Sequence, residues 1–136
     1  KELFFAKKNN GAFCNGKKIH VKKNQNIDSS KYGISSSEVA KLEKYNFFDK
    51  QNIIQMGSIA YKIALVAKGQ IDVAISFTKK NDWDLAASDL ILKEAGGIIT
   101  NISGKKIVYN SNLMKIESVI ASNNKLVKKL CVKFNE

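Results

Sequence analysis

The chain has 136 residues, which suits one domain with one core, and its 44% hydrophobic content excludes wholesale disorder. The net charge of +11 comes from lysines spread along the whole chain, without any arginine, so it indicates a solvated basic surface rather than a site that reads nucleic-acid sequence. Two cysteines and one histidine exclude a disulfide framework and a histidine-based zinc site, and no apolar run approaches the ~20 residues of a transmembrane helix.

The first third of the chain predicts short strands followed by one helix. Residues 2–21 predict a β-meander, in which Asn15-Gly16 is the strongest signal for a tight hairpin turn. A polar connection over residues 22–32 leads to a strand at residues 32–35. A helix is then predicted from Ser36 or Ser37 to about residue 45, with Val39 and Leu42 on its inner face.

The rest of the chain alternates strands with helices, which predicts an α/β layered fold. The predicted strands cover residues 53–56, 71–77, 98–100 and 118–121, and residues 78–82 form a polar loop. The predicted helices cover residues 58–68, residues 84–95 and a last segment capped by Asn123. The last helix carries four apolar residues: Leu126, Val127, Leu130 and Val132.

The segment from residue 81 to residue 97 carries the strongest functional signal. Trp83 precedes the predicted helix and is expected to pack as a wedge between helix and sheet. Asp84 stands at the helix start, where the partial positive charge of the helix dipole favours a carboxylate. Such an acid is either an ordinary cap or an oxygen ligand for a hard cation such as Mg²⁺. One carboxylate does not make a Mg²⁺ site, so the residues alone leave both readings open.

A second candidate is the pair Gly57-Ser58, which follows a predicted strand and begins a helix. Backbone N–H groups at such a position either bind an anion or are capped by the serine side chain. Lys79 and Lys80 lie just before Asp84, where they either meet a phosphate or reflect the general abundance of lysine.

Six segments of the chain match one family pattern in the same order. They are Glu2-Leu3-Phe4-Phe5-Ala6, Gly11-Ala12-Phe13-x-Asn15-Gly16, Gly57-Ser58-x-Ala60, Val66-Ala67-x-Gly69 with Asp72, Trp83-Asp84-x-Ala86-Ala87-x-x-x-Ile91-x-x-Glu94-Ala95-Gly96-Gly97, and Ile120-Ala121-Ser122-Asn123. Together they resemble the inositol monophosphatase superfamily, which comprises Mg²⁺-dependent, lithium-sensitive phosphomonoesterases. The resemblance implies an α/β fold that forms the C-terminal half of the layered α-β-α-β-α sandwich of the inositol monophosphatase and fructose-1,6-bisphosphatase type.

The resemblance also implies roles for individual residues. Asp84 would bind the second Mg²⁺ ion and also touch a substrate hydroxyl. Gly57 and Ser58 would line the substrate pocket, and the loop that begins at Ser76 would face the non-phosphate part of the substrate. Inositol phosphatases usually carry a glutamate near the position of Ser76, and the Asn-Asp-Trp-Asp-Leu-Ala-Ala form resembles 3′(2′),5′-bisphosphate nucleotidases. Either substrate class therefore stays open.

The family's other metal ligands belong to an upstream glutamate and an Asp-Pro-x-Asp-Gly-Thr motif. This motif is absent, because the chain has no proline. Residues 1–136 are therefore expected to form a single partial domain that is not competent alone as a hydrolase. The expected partners are a small phosphorylated substrate and either a second copy or the missing half, without a membrane or a specific nucleic acid. A cytoplasmic location is expected. The alternatives are a non-enzymatic basic remnant that binds anions or a partner, and salt-dependent nucleic-acid binding through the lysine surface.

Overall fold

The computed structural model describes residues 1–112 and 115–136, which form four layers in the order sheet, helices, sheet, helix. The first layer is the predicted meander of β1 (Phe4–Ala6), β2 (Ala12–Cys14) and β3 (Lys17–Ile19), whose strands pair antiparallel in the order β1-β2-β3. Asn15 and Gly16 have φ values of 50° and 78°, as a tight hairpin turn between twisted strands requires. The predicted meander is confirmed.

The second sheet consists of five strands: β4 (Tyr32–Ile34), β5 (Ile53–Gln55), β6 (Val73–Ser76), β8 (Gly97–Thr100) and β10 (Val119–Asn123). They lie in the order β5-β4-β6-β10-β8. Strand β4 pairs parallel with β5 and β6, whereas β10 pairs antiparallel with β6 and β8. Because β4, β5 and β6 run in the same direction, the segments that follow them leave from one edge of the sheet.

Two helices, α2 (Ile59–Ala67) and α3 (Asp82–Glu94), lie between the two sheets and bury one apolar core. A last helix, α4 (Asn124–Phe134), packs on the opposite face of the five-stranded sheet. Asn123 caps it as predicted, because its side chain accepts a hydrogen bond from the backbone N–H of Leu126 at 2.9 Å. This arrangement confirms the predicted α/β layered class. None of the helices in the described residues is long and apolar enough to cross a membrane.

The helix predicted after β4 is much shorter than expected. The chain forms a 3₁₀ turn over Ser36–Glu38 and a single α-helical turn, α1 (Val39–Leu42). The side chain of Ser35, which precedes the turn, does not cap it. Beyond α1, aromatic side chains at residues 45, 47 and 48 pack against Phe134, and this contact directs the chain away from a helical path.

Of the four apolar residues named in the last helix, Leu126, Val127 and Leu130 are buried, whereas Val132 is 63% exposed. Phe134 is buried at the end of α4. The polar loop before α3 contains a two-residue strand, β7 (Lys80–Asn81), which pairs with β9 (Lys115–Ile116). This pairing carries the chain directly into α3, so the helix begins at residue 82 rather than residue 84.

Substituting Gly97 tests how closely α3 packs on the sheet. A Cβ atom at this position would lie 2.5 Å from Cδ1 of Leu92 and 3.0 Å from the carbonyl oxygen of Ser122. Gly97→Ala should therefore lower the free energy of unfolding by about 1–3 kcal/mol, as measured by urea denaturation. Gly57→Ala is the matched control, because a Cβ there meets nothing within 4 Å. Equal unfolding midpoints for the two variants would contradict the described packing.

Candidate active site

The sequence-predicted site residues follow strands that end at one edge of the five-stranded sheet. Gly57 and Ser58 follow β5, Ser76 ends β6, and Asp84 lies in the first turn of α3, which β6 reaches through residues 77–81. In open α/β sheets, ligands bind outside the carboxyl ends of parallel strands. The fold therefore connects all four predicted residues to the edge where a ligand site is expected.

Asp84 is the third residue of α3, and its carboxylate caps the helix start. Its Oδ2 atom accepts a hydrogen bond from the backbone N–H of Asn81 at 2.9 Å, in the capping-box arrangement. The side chain is half-buried, and among the described contacts its Oδ1 atom accepts no hydrogen bond. The two readings of Asp84 are thus compatible, because one oxygen serves the helix while the other is free for a ligand.

Trp83 does not form the expected wedge between helix and sheet. Its side chain is 69% exposed, whereas the residues on either side, Asp82 and Asp84, are buried and half-buried. Because α3 begins two residues earlier than predicted, Trp83 lies within the helix, on the side that faces away from the core.

Ser58 caps α2 and occupies an unusual backbone conformation. Its side chain accepts a hydrogen bond from the backbone N–H of Tyr61 at 3.3 Å, and its φ of 52° is in the left-handed region. Such a conformation is costly for a residue with a Cβ atom and is common at functional sites. The neighbouring Gly57 is exposed and faces open space. Their role in substrate binding stays a prediction.

A buried polar network beneath this edge was missed by the sequence analysis. The Ser76 hydroxyl, which is fully buried, donates to both carboxylate oxygens of Glu38 at 3.1 and 3.2 Å. The same carboxylate accepts the backbone N–H of Phe77 at 2.6 Å, and only 2% of Glu38 is exposed. Glu38 therefore fixes the point where the chain leaves β6 toward Asp84.

Two lysines place positive charge on the same network. Lys62 is fully buried on α2 and donates to the Ser35 hydroxyl at 2.8 Å. Burial lowers the pKa of Lys62, an effect that the carboxylate of Glu38 opposes and the ammonium of Lys80 reinforces. Lys80 donates to the Thr78 hydroxyl at 2.6 Å, which lies 3.3 Å from the Ser76 hydroxyl. A chain of hydrogen bonds therefore connects Glu38, through the Ser76 and Thr78 hydroxyls, to Lys80.

The burial of Lys62 could have been predicted from the sequence. It interrupts the apolar stripe of α2, and every neighbour from residue 63 to residue 67 is buried. A lysine inside such a stripe indicates a charge that the fold must pair or solvate. The burial of Glu38 could not be predicted in the same way, because it follows from the shortening of the helix after β4.

The described residues do not complete a metal site by themselves. Within residues 1–112 and 115–136, no cluster of three or more histidine, cysteine or acidic side chains is arranged to hold a metal ion. The three other acids of α3 have structural partners, because Asp82 accepts the backbone N–H of Asn110, Asp89 accepts the Tyr109 hydroxyl and Glu94 accepts the backbone N–H of Gly11. Asp84 therefore has one uncommitted oxygen, and its role as a metal ligand stays a prediction.

Removing the Glu38 carboxylate should loosen the connection between β6 and α3. Glu38→Ala leaves the Phe77 N–H and the Ser76 hydroxyl without their acceptor, at a cost of about 1–3 kcal/mol for each unsatisfied group. We expect faster hydrogen exchange at the Phe77 amide and a lower free energy of unfolding, with partial recovery in Glu38→Gln. Glu43→Ala, which breaks only a surface ion pair with Lys50, should change neither quantity. Matching effects of the two alanine variants would rule out an anchoring role for Glu38.

The burial of Lys62 should appear in the pH dependence of stability. Because burial lowers the pKa of Lys62 below 10.5, the folded protein releases this proton at lower pH than the unfolded chain. Between the lowered pKa of Lys62 and pH 10.5, the wild-type free energy of unfolding should therefore increase with pH. Lys62→Met should lack this increase. Urea denaturation between neutral pH and about pH 10 measures the difference. Parallel curves for wild type and Lys62→Met would contradict the shift, and exposed Lys50→Met serves as the control.

Comparison with known proteins supports the family resemblance. A family model described as the inositol monophosphatase family matches residues 1–136. The fructose-1,6-bisphosphatase/inositol-1-monophosphatase of Thermotoga maritima is 32% identical over 111 residues, which cover 77% of this chain and 41% of that protein. Human inositol monophosphatase 1 is 29% identical over 136 residues, which cover 93% of this chain and 47% of that protein. The chain thus spans less than half the length of these two relatives.

Solved structures show the same fold. The extragenic suppressor protein suhB of Bartonella henselae matches with a TM-score of 0.76 at 26% identity, over 99% of this chain and 54% of that one. The inositol monophosphate-bound staphylococcal IMPase-II matches with a TM-score of 0.83, over 98% of this chain and 52% of that one; at 22% identity it supports the fold alone. The full-length match to the family model and these similarities lead to one conclusion: the chain belongs to the inositol monophosphatase family.

Proposed function

We propose that this chain supplies one part of a Mg²⁺-dependent phosphomonoesterase that acts on a small phosphorylated metabolite such as inositol monophosphate. The observation that carries the proposal is the Asp84 carboxylate, which lies at the carboxyl edge of the sheet with one oxygen used by the helix cap and the other uncommitted. Family membership supports phosphatase chemistry, since relatives carry the names inositol monophosphatase and fructose-1,6-bisphosphatase.

The residues of this chain would bind the metal ion and orient the substrate, but they would not complete the reaction alone. The Asp84 carboxylate would provide one ligand to Mg²⁺, which when bound activates water and stabilises charge on a phosphoryl group. The N-terminus of α2, next to the open space at Gly57, would favour an anionic substrate group through its backbone N–H groups and dipole. A lone carboxylate binds Mg²⁺ weakly, so the isolated chain would be inactive.

A 3′(2′),5′-bisphosphate nucleotidase is the second candidate, and the charges around Ser76 favour it. Ser76 is fully buried and bound to Glu38, so it does not present a side chain to a substrate. Lys80, which is half-buried, instead places an ammonium group close to this loop, which suits a substrate with a second anionic group. A relative named bifunctional NADP phosphatase/NAD kinase, from Methanococcus maripaludis, is 30% identical over 95% of this chain and 24% of that protein, which agrees with a nucleotide substrate.

Phosphate release by the complete assembly tests the proposal. The chain combined with the remaining part of the fold should release phosphate in a Mg²⁺-dependent and lithium-inhibited reaction, whereas the chain alone should not. Asp84→Asn should lower kcat/KM at least about 100-fold, beyond the loss typical of an outer-shell partner. The substitution preserves folding, because an amide oxygen still accepts the Asn81 N–H.

Asp49→Asn is the matched control for that experiment. Asp49 also accepts a backbone N–H at the start of a helical turn, at 2.9 Å from Gln51, but it lies away from α3. This variant should keep full activity. Unchanged activity in Asp84→Asn would exclude the metal-ligand role, and inactivity of the wild-type assembly would favour a non-enzymatic remnant. Comparing inositol monophosphate with a 3′,5′-bisphosphate nucleotide decides between the two substrate classes.

A further inference from the structure

Two neighbouring cavities lie at the edge of the five-stranded sheet opposite to the end of β6. One has a volume of about 480 Å³ and the other of about 760 Å³, and Gly96 and Asn124 line both. Because β10 runs antiparallel to β6, Asn124, which follows β10, lies near the start of β6, whereas Ser76 ends that strand. Pockets for small molecules typically have volumes of about 300–1,000 Å³. We name this pair of cavities the rear cleft.

The smaller cavity contains a buried carboxylate with an unused oxygen. Asp89 lines this cavity and is only 3% exposed. Its Oδ2 atom accepts both the Tyr109 hydroxyl at 2.8 Å and the Lys93 ammonium at 3.0 Å. Its Oδ1 atom is buried and accepts no hydrogen bond from the residues that the structure describes. Buried acceptors in native proteins are nearly always paired, so this oxygen indicates a donor that comes from a ligand.

The neighbours of Asp89 indicate what kind of donor fits. Lys93 and Lys106 line the same cavity, so two ammonium groups lie beside the carboxylate. They disfavour a cationic donor, because like charges repel. A neutral hydroxyl group can donate to Oδ1 without this repulsion, which favours a ligand that carries hydroxyl groups.

The larger cavity is positively charged. Lys22, Lys23 and Lys125 line it, and among its lining residues in the described ranges none is acidic. Lys22 is paired with Asp72 at 3.7 Å. Lys23 and Lys125 are exposed, and within residues 1–112 and 115–136 neither forms an ion pair. The larger cavity therefore attracts an anionic group.

The first turn of α4 adds hydrogen-bond donors where the two cavities meet. The Asn123 side chain caps this helix by accepting the N–H of Leu126. The N–H groups of Asn124 and Lys125 donate to no other group in the part of the chain that is described. Free N–H groups at the start of a helix, together with the helix dipole, bind phosphate and other anions. An anionic group is thus favoured beside Asn124, which lines both cavities.

We propose that the rear cleft binds a small phosphorylated sugar or polyol, whose phosphate group lies at the start of α4 and whose hydroxyl group donates to Oδ1 of Asp89. Asn124 and Asp89 line the same smaller cavity, so one molecule that fills it contacts both. The inference does not rest on the proposed function, because neither Asp84 nor Ser58 lines the rear cleft.

An NMR titration of the isotope-labelled chain of 136 residues tests the proposal residue by residue. The probes are ribose 5-phosphate, inorganic phosphate and ribose, each at physiological ionic strength. Ribose 5-phosphate should shift the amide signals of Gly96, Asn124 and Lys125. Its Kd should be at least about 10-fold lower than that of inorganic phosphate, because a hydrogen bond to a carboxylate adds to the binding of the phosphate group. Ribose at the same concentrations should not produce these shifts.

Asp89→Asn should reduce the affinity for ribose 5-phosphate to that for inorganic phosphate. The amide keeps one acceptor oxygen for Tyr109 and places a donor where the ligand hydroxyl needs an acceptor. Asp82→Asn is the matched control and should keep the preference for ribose 5-phosphate. Asp82 also has one buried oxygen without a partner in the described chain, but it lines neither cavity of the rear cleft.

Lys125→Gln tests the phosphate end of the site. This variant should weaken both ribose 5-phosphate and inorganic phosphate about 3-fold, as expected for the loss of one exposed charge. Lys128→Gln is its matched control, because Lys128 is exposed on the same helix but does not line the rear cleft. It should leave both affinities unchanged. If Asp89→Asn does not fold, the probe comparison in the wild type and these two lysine variants decide.

The proposal is overturned if the three amide signals do not shift, if ribose 5-phosphate and inorganic phosphate bind equally tightly, or if Asp89→Asn keeps the preference. Equal weakening by Lys125→Gln and Lys128→Gln would also overturn it, because that result identifies an adventitious anion on the lysine surface. Shifts confined to the amides of Gly57, Ser58 and Asp84 would contradict the rear cleft and support an anion site at the opposite edge of the sheet.

Discussion

The hydrogen bonds to the Glu38 carboxylate determine how the chain leaves β6. Glu38 accepts the backbone N–H of Phe77 and the hydroxyl of Ser76 inside the protein, where an unmade hydrogen bond is costly. The segment that begins at Phe77 continues through β7 into α3, and Asn81 at its end donates its backbone N–H to Asp84. The Glu38 carboxylate thus positions the segment that leads to Asp84, whose carboxylate is proposed to bind the metal ion.

In the proposed function, the Asp84 side chain both caps α3 and binds the metal ion. Its capping bond to Asn81 holds the carboxylate in a single orientation at the start of α3. A ligand whose orientation is fixed before the ion arrives loses little freedom on binding. The cap and the proposed metal ligand are therefore complementary properties of the same residue, and the capping interpretation does not weaken the functional one.

The layers and most elements could be predicted from the sequence, because hydrophobic periodicity and turn residues are local signals. Asn15-Gly16, Asn123 and the alternation of strands with helices all predicted structure that is confirmed. The early start of α3 could not be predicted, because it depends on pairing between β7 and β9, about thirty-five residues apart. The burial of Glu38 likewise depends on Ser76 and Phe77, which are distant in sequence. The family match supports the resemblance, while the roles of Gly57, Ser58, Ser76 and Asp84 stay predictions.

The central claim is that Asp84 binds a divalent cation once the remaining carboxylates are present. The most direct measurement is titration of the assembled protein with Mn²⁺ as a paramagnetic substitute for Mg²⁺, with free Mn²⁺ measured by electron paramagnetic resonance. Asp84→Asn should bind fewer ions, or bind them at least about 10-fold more weakly, than the wild type and the Asp49→Asn control. Equal stoichiometry and affinity in all three proteins would contradict the claim.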